Sequence, residues 1–128
     1  MKDRYRYVIA GNPNTPLRVL LKLVEDEDRF VRRRVAENSK VPEALLLQLA
    51  RDPEPEVRVA AMLAMRSSGL VLLEACFSED LDVRYMLAEE PDVPVEILRV
   101  LSQDPNPFVA HRAVCSLLIK AGGGASVV

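Results

Sequence analysis

Residues 31–56 read VRRRVAENSKVPEALLLQLARDPEPE, and variants of this stretch recur along most of the 128-residue chain. When the sequence is shifted by 26 residues and compared with itself without gaps, Val31 aligns with Val57 and similar residues coincide at many other positions. The successive copies open with Tyr5-Arg6, Val31-Arg32, Val57-Arg58, Val83-Arg84 and Val109-Ala110. A proline recurs at Pro16, Pro42 and Pro94, a leucine at Leu20, Leu46, Leu72 and Leu98, and a closing aspartate at Asp26, Asp52 and Asp104. The sequence therefore predicts an internal 26-residue repeat.

Each copy is predicted to contain two short helices. In four copies, the residue before the first helix is Asp28, Glu54, Asp80 or Asn106. Most of these side chains can accept hydrogen bonds from the free backbone N–H groups at the start of a helix. The second is expected to have the recurring proline at its first position. Apolar residues at helical spacing, such as Val31 with Val35 and Leu46 with Leu49, give each helix one apolar face. A unit this small cannot bury that face alone, so the copies must stack, and the predicted fold is an all-α solenoid.

We predict one repeat domain over residues 1–121, with four full copies and one partial copy. The copies span residues 5–30, 31–56, 57–82, 83–108 and 109–121. The glycine-rich segment 122–128 is predicted to be a flexible tail. The third copy is irregular, because it has no proline at its turn and carries Ser78 in place of the closing aspartate.

The unit resembles the leucine-rich repeat variant family, whose pattern is VRxxVAxNPxTPxxxLxxLAxDP. Residues 31–56 match it closely, and AGNPNTP at residues 10–16 matches its middle segment almost letter for letter. The resemblance covers roughly residues 4–116. It implies a right-handed superhelix of alternating α and short, often 3₁₀, helices, similar in layout to HEAT repeats, and it implies no activity. One branch of the family holds an iron–sulfur cluster in a Cys-rich segment, which this chain lacks, so no cofactor is expected.

Few residues suggest chemistry. Cys76 and Cys115 are too few for a disulfide framework or a tetrahedral metal site, and free thiols point to the reducing cytoplasm. No apolar run is long enough for a signal peptide or a membrane span. His111 lies four residues before Cys115, but the sequence offers no group to orient such a pair. We therefore expect no catalytic residues and no metal site.

The recurring arginines predict a structural ladder with the closing aspartates. Its members are Arg6, Asp26, Arg32, Asp52, Arg58 and Arg84. Each of Asp26 and Asp52 precedes an arginine by six residues, and the resemblance to HEAT-like solenoids implies Asp–Arg contacts at this junction. Where the closing residue is Ser78, Arg84 is expected to turn to Asp80 or Asp82. The alternative is that the arginines bind phosphates.

The positions that differ between copies predict the binding surface. Two neighbouring columns run along the first helices: Tyr7, Arg33, Val59, Tyr85 and His111, then Val8, Arg34, Ala60, Met86 and Arg112. At about 100° per residue, both lie away from the apolar stripe. Their mixture of aromatic, basic and apolar groups suits a protein interface. In the third copy, Val59, Ala60 and Leu63 are expected to form an exposed apolar patch; the alternative is that this copy packs differently.

The leading functional hypothesis is a non-catalytic module that binds an unidentified protein. Its predicted partner-binding residues are Tyr7, Arg33, Arg34, Val59, Leu63, Tyr85, Met86 and His111. A second hypothesis is nucleic-acid binding by the basic residues 1–40. This segment contains ten Lys/Arg and six Asp/Glu, whereas residues 41–128 contain seven Lys/Arg and thirteen Asp/Glu. A third is head-to-tail self-association of these oppositely charged portions, through the apolar residues Val114, Leu117, Leu118 and Ile119.

Overall fold

The computed structural model describes residues 2–65 and 68–122, and every regular element in these ranges is an α-helix. The helices are α1 (Lys2–Gly11), α2 (Leu17–Leu23), α3 (Arg29–Ala36), α4 (Glu43–Leu49), α5 (Pro55–Ala64), α6 (Ser68–Ala75), α7 (Leu81–Glu89), α8 (Val95–Leu101) and α9 (Pro107–Gly122). The all-α prediction is confirmed for this part of the chain. Part of the irregular third turn, at residues 66–67, and the predicted tail beyond Gly122 lie outside the described residues.

The chain divides into two compact units, Met1–Ser68 and Gly69–Val128. In the first unit, α3 packs against both α1 and α5, while α2 and α4 also contact α3. In the second unit, α9 packs against α7 and α8. The prediction of one repeat domain over residues 1–121 stays a prediction.

The first helices begin largely as the capping residues predict. The Asp28 carboxylate accepts a hydrogen bond from the Phe30 N–H (2.8 Å), and the Asp80 carboxylate accepts one from the Asp82 N–H (2.9 Å). Glu54 precedes α5 without capping it, and its carboxylate instead pairs with an arginine side chain on α3. Short Asp side chains therefore act as caps, whereas the longer Glu side chain does not.

The recurring prolines lie one residue earlier than predicted. They have extended backbones, with ψ of 149°, 148° and 151°, and they precede α2, α4 and α8: Pro16, Pro42 and Pro94. Their carbonyls accept the first bonds of each helix, for example from the N–H of Val19 (3.0 Å) and of Leu20 (3.2 Å). The first turn therefore contains a 3₁₀-type bond, but the described second helices are α-helices.

The core consists of aliphatic residues at equivalent positions of successive copies. Four valines that open successive first helices are all buried: Val31, Val57, Val83 and Val109. The second helices contribute buried leucines, among them Leu20, Leu46, Leu72 and Leu98. Small and medium side chains at these positions allow the short helices to pack closely, which is consistent with the few aromatic residues in the sequence.

A buried polar contact joins the end of α1 to the segment that follows α3. The Asn38 side-chain amide donates to the carbonyls of Ala10 (2.8 Å) and Asn12 (2.9 Å), and its Oδ1 accepts from the Lys40 N–H (2.8 Å). In the second unit, the buried Ser116 hydroxyl donates to the carbonyl of Ala88 on α7 (2.6 Å). These bonds satisfy carbonyls at helix ends that have no partner within their own helix.

We expect Asn38→Ala to lower the free energy of unfolding by about 2–3 kcal/mol, because buried carbonyls and the Lys40 N–H lose their partner. The control is Asn14→Ala at an exposed turn, where we expect a change within about 0.5 kcal/mol. Urea unfolding followed by far-UV circular dichroism measures both values. Equal stability of the two variants would contradict a structural role for Asn38.

Candidate functional site

The most regular polar feature is the segment that connects each second helix to the next first helix. We call residues 26–28, 52–54, 78–80 and 104–106 the closing loops. In one of them, Oδ1 of Asp52 accepts from the Glu54 N–H (2.9 Å), and both carboxylate oxygens accept from Arg32, at 2.7 Å from Nε and 3.1 Å from Nη2. Nη1 of Arg32 also donates to the carbonyl of Asp26 (2.6 Å). Arg32 therefore connects two closing loops.

The same contacts continue along the first unit. Nε of Arg6 lies 2.7 Å from Oδ2 of Asp26, and Nη1 of Arg58 donates to the carbonyl of Asp52 (2.7 Å). An arginine thus contacts the carboxylate of the following closing loop, the backbone carbonyl of the preceding one, or both. Arginines and aspartates do pair in this unit, but the ion pairs join Arg6 and Arg32 to the later aspartate, Asp26 and Asp52 respectively. The prediction that Asp26 and Asp52 offer carboxylates to the arginines six residues later is wrong, because those arginines bind their backbone carbonyls.

The second unit repeats this geometry at Arg84. Nε of Arg84 donates to Oδ2 of Asp104 (2.8 Å), and Nη1 donates to the carbonyl of Ser78 (2.6 Å). The prediction that Arg84 turns to Asp80 or Asp82 is therefore wrong, because the Asp80 side chain caps α7 and the guanidinium extends to the following closing loop. The Ser78 hydroxyl accepts from the Asp80 N–H (3.1 Å), so serine preserves the turn without supplying a carboxylate.

These ion pairs are largely shielded from water. The side chains of Asp52 and Asp104 are almost fully buried, and those of Arg32 and Arg84 are mostly buried. The hydrogen bond with Asp52 raises the pKa of Arg32, which keeps the guanidinium charged. Because each charge is matched by a bidentate partner, the ladder supports the structure and offers little free positive charge to a ligand.

An open groove of about 810 Å³ lies beside the ladder in the first unit. It is lined by residues near the ends of α2 and α4, namely Val24, Glu25, Asp26, Arg32, Leu47, Gln48, Leu49, Arg51, Asp52 and Pro53. Apolar side chains alternate here with polar groups that can form hydrogen bonds. Such a combination is typical of sites that bind part of another molecule.

The predicted apolar patch on the third copy is not exposed. Val59 is only 2% exposed, and Leu63 is partly buried. Val57, Val59 and Ala61 are all buried on α5, so this helix buries a wider face than one stripe at helical spacing. The prediction of Val59 as an exposed partner-binding residue is therefore wrong.

The basic residues of the predicted surface contact other parts of their own unit. The Arg34 guanidinium lies 5.3 Å from the centre of the Tyr7 ring and pairs with Glu37 (3.2 Å). A Cβ at Gly11 would collide with Nε of Arg34, so glycine leaves room for this side chain. Nε of Arg33 lies 3.3 Å from the Glu37 carboxylate. The structure thus brings Tyr7, Arg33 and Arg34 together, as a packed and paired cluster.

The remaining predicted residues lie in the second unit. Tyr85 and Met86 are partly buried on α7, and His111 is exposed on α9. Nε2 of His111 is 3.6 Å from Sγ of Cys115, which lies one helical turn later. Within residues 2–65 and 68–122, no group of three or more His, Cys, Asp or Glu residues could hold a metal ion. In the same ranges, no helix is both long and apolar enough to cross a membrane.

Sequence reasoning missed an exposed leucine at one position of the second helices. We call Leu21, Leu47 and Leu73 the leucine column; they are 49%, 57% and 42% exposed. Leu21 and Leu47 lie in the first unit and Leu73 in the second. The signal was present in the sequence, because LLLQL at residues 45–49 contains one more leucine than a buried face needs.

The two cysteines differ in their surroundings. Cys76 is buried, and desolvation, with the negative charge of Asp104 as a second cause, raises the pKa of its thiol to about 11. Cys115 is partly exposed on α9 beside His111. Since the thiolate is the reactive form, Cys76 should be nearly inert in the folded protein.

We expect an aromatic disulfide reagent at mildly alkaline pH to modify one thiol per folded chain quickly. The fast reaction should disappear in Cys115→Ser, and Cys76 should react only after unfolding in urea, because roughly one Cys76 thiol in a thousand is ionised at pH 8. Absorbance of the released thiol measures both rates. Two thiols reacting equally fast in the native protein would show that Cys76 is accessible.

Comparison with known proteins assigns no relative to this chain. No protein-family model, curated protein or solved structure matches it.

Proposed function

We propose that the chain is a non-catalytic, cytoplasmic protein-interaction module of the leucine-rich repeat variant type. On this proposal its helices form a right-handed solenoid of four full and one partial 26-residue repeats. Two features support the repeat arrangement. The valines that open four successive copies are all buried, and Arg32 and Arg84 make the same contacts in separate units.

The observation that carries the proposed function is Leu47, a well-exposed leucine on the edge of the 810 Å³ groove. Leu21 is exposed one turn before Val24, which also lines the groove. Gln48 and Arg51 contribute polar groups to the lining. The expected partner is a protein segment that places neighbouring apolar side chains in the groove and polar groups at its rim.

The charges of the first unit favour a protein partner over a nucleic acid. Arg29 pairs with Glu54 (3.1 Å) and Glu56 (3.2 Å), and Arg33 also lies 3.9 Å from Glu56. Arg32 is held by Asp52. Binding a phosphate backbone through these arginines would require the ion pairs to open, and each carboxylate would then face the phosphates.

The test replaces both leucines of the first unit with lysine. We expect Leu21→Lys/Leu47→Lys to weaken binding of the native partner by about tenfold for each leucine, because each side chain loses its apolar burial. The partner is captured from extracts of the source cells with the wild-type chain, purified, and its Kd measured by calorimetry. The matched control is Phe108→Lys, which changes an exposed apolar residue on α9, away from the leucine column, and should leave the Kd within about twofold.

Circular dichroism must show unchanged helicity in both variants. Equal Kd values for the wild type and the double variant would contradict Leu21 and Leu47 as the binding surface. Failure of the wild type to retain any protein above the level of an unrelated helical protein would contradict the proposed function. Salt-sensitive binding of a random DNA duplex would instead support the nucleic-acid hypothesis.

A further inference from the structure

Helix α1 exposes two positions that are buried in the other first helices. Tyr5 is 72% exposed, whereas the equivalent residues of the later copies are all buried: Val31, Val57, Val83 and Val109. Ile9 is 41% exposed, whereas its equivalents are again all buried: Val35, Ala61, Leu87 and Ala113. We call Tyr5 and Ile9 the head face.

Helix α9 exposes a residue at a different position of the repeat, one that is buried in most of the other first helices. Val114 is 42% exposed, whereas three of its equivalents are buried: Ala10, Ala36 and Ala88. One helical turn later, Leu118 and Ile119 are also exposed. We call Val114, Leu118 and Ile119 the tail face. Three exposed apolar side chains within two turns of one helix form a patch of the kind that often marks a contact with another molecule.

The contacts within each unit indicate what covers such a face. Val31, Val35 and Ala36 all belong to α3, which packs against α1 on one side and α5 on the other. Ala88 belongs to α7, which packs against α9. Another first helix therefore contributes to covering the helices that carry the buried residues at these positions. The head and tail faces are the two halves of a contact that the chain already uses internally.

The positions involved favour the union of one head with one tail over the union of two like faces. First helices of this chain already pack on one another, as α3 does on α1 and α5 and as α9 does on α7. The head and tail faces occupy different positions of the repeat, so a head against a tail can reproduce such a contact. Two heads or two tails would place identical positions against each other.

We propose that the head face of one copy of this chain packs against the tail face of a second copy. The contact goes beyond the proposed function, since its partner is another copy and its residues differ from the leucine column. A head-to-tail contact is heterologous, so each assembly retains one open head and one open tail. The assemblies therefore grow in length as the protein concentration rises.

The test uses two complementary variants of the full chain. Tyr5→Lys/Ile9→Lys blocks the head, and Val114→Lys/Leu118→Lys blocks the tail. Sedimentation velocity over a range of concentrations should show increasing mass for the wild type and monomers for each variant alone, because self-association weakens by about tenfold or more. An equimolar mixture of the variants should form a one-to-one dimer and nothing larger, since only one intact head and one intact tail remain.

Three outcomes would overturn the proposal: a wild type that stays monomeric, a blocked variant that still associates with itself, or a mixture that gives no dimer. Unchanged helicity in both variants excludes unfolding as the cause, because the replaced side chains are exposed. Leu47→Lys is the control for the proposed function. It should associate with itself like the wild type, so failure of self-association is distinguishable from failure of partner binding.

Discussion

The contact between an arginine and the carboxylate of the following closing loop sets the spacing of the polar groups in both units. Arg32 with Asp52 and Arg84 with Asp104 have the same atoms in the same roles. Each guanidinium also binds the backbone carbonyl of the preceding closing loop. Arginine suits this position because its planar group presents several donors in a fixed arrangement and stays charged when mostly buried. An insertion between two loops would move one of these partners away, which explains why the length of the repeating unit is constant.

The ladder also determines what is left for function. Caps, closing loops and ion pairs engage most of the charged side chains of the first unit, so the basic cluster at Arg32, Arg33 and Arg34 is a set of internal contacts. Exposed apolar groups without such a role occur on the second helices as the leucine column and on α1 and α9 as the head and tail faces. The proposed partner contact and the proposed self-association therefore use different residues.

The sequence predicted the helices well, because its fixed residues report local structure. The capping role of Asp28 and the start of α4 beside Pro42 followed from residue type and position. The ladder partners did not follow, because an arginine such as Arg32 has a closing aspartate on both sides of it in the sequence, and only the packing of neighbouring helices selects between them. Val59 was misplaced because α5 buries a wider face than its pattern indicates. Leu47 was not singled out, since leucine runs do not reveal which member faces water.

The most direct measurement of the central claim is the coupling free energy between Arg32 and Asp52. A double-mutant cycle compares the unfolding free energies of the wild type, Arg32→Ala, Asp52→Ala and the double variant, so the separate bond from Asp52 to the Glu54 N–H cancels. Because the pair is bidentate and mostly buried, we predict a coupling of about 2 kcal/mol. A coupling below about 0.5 kcal/mol, the value of an ordinary surface ion pair, would contradict the account.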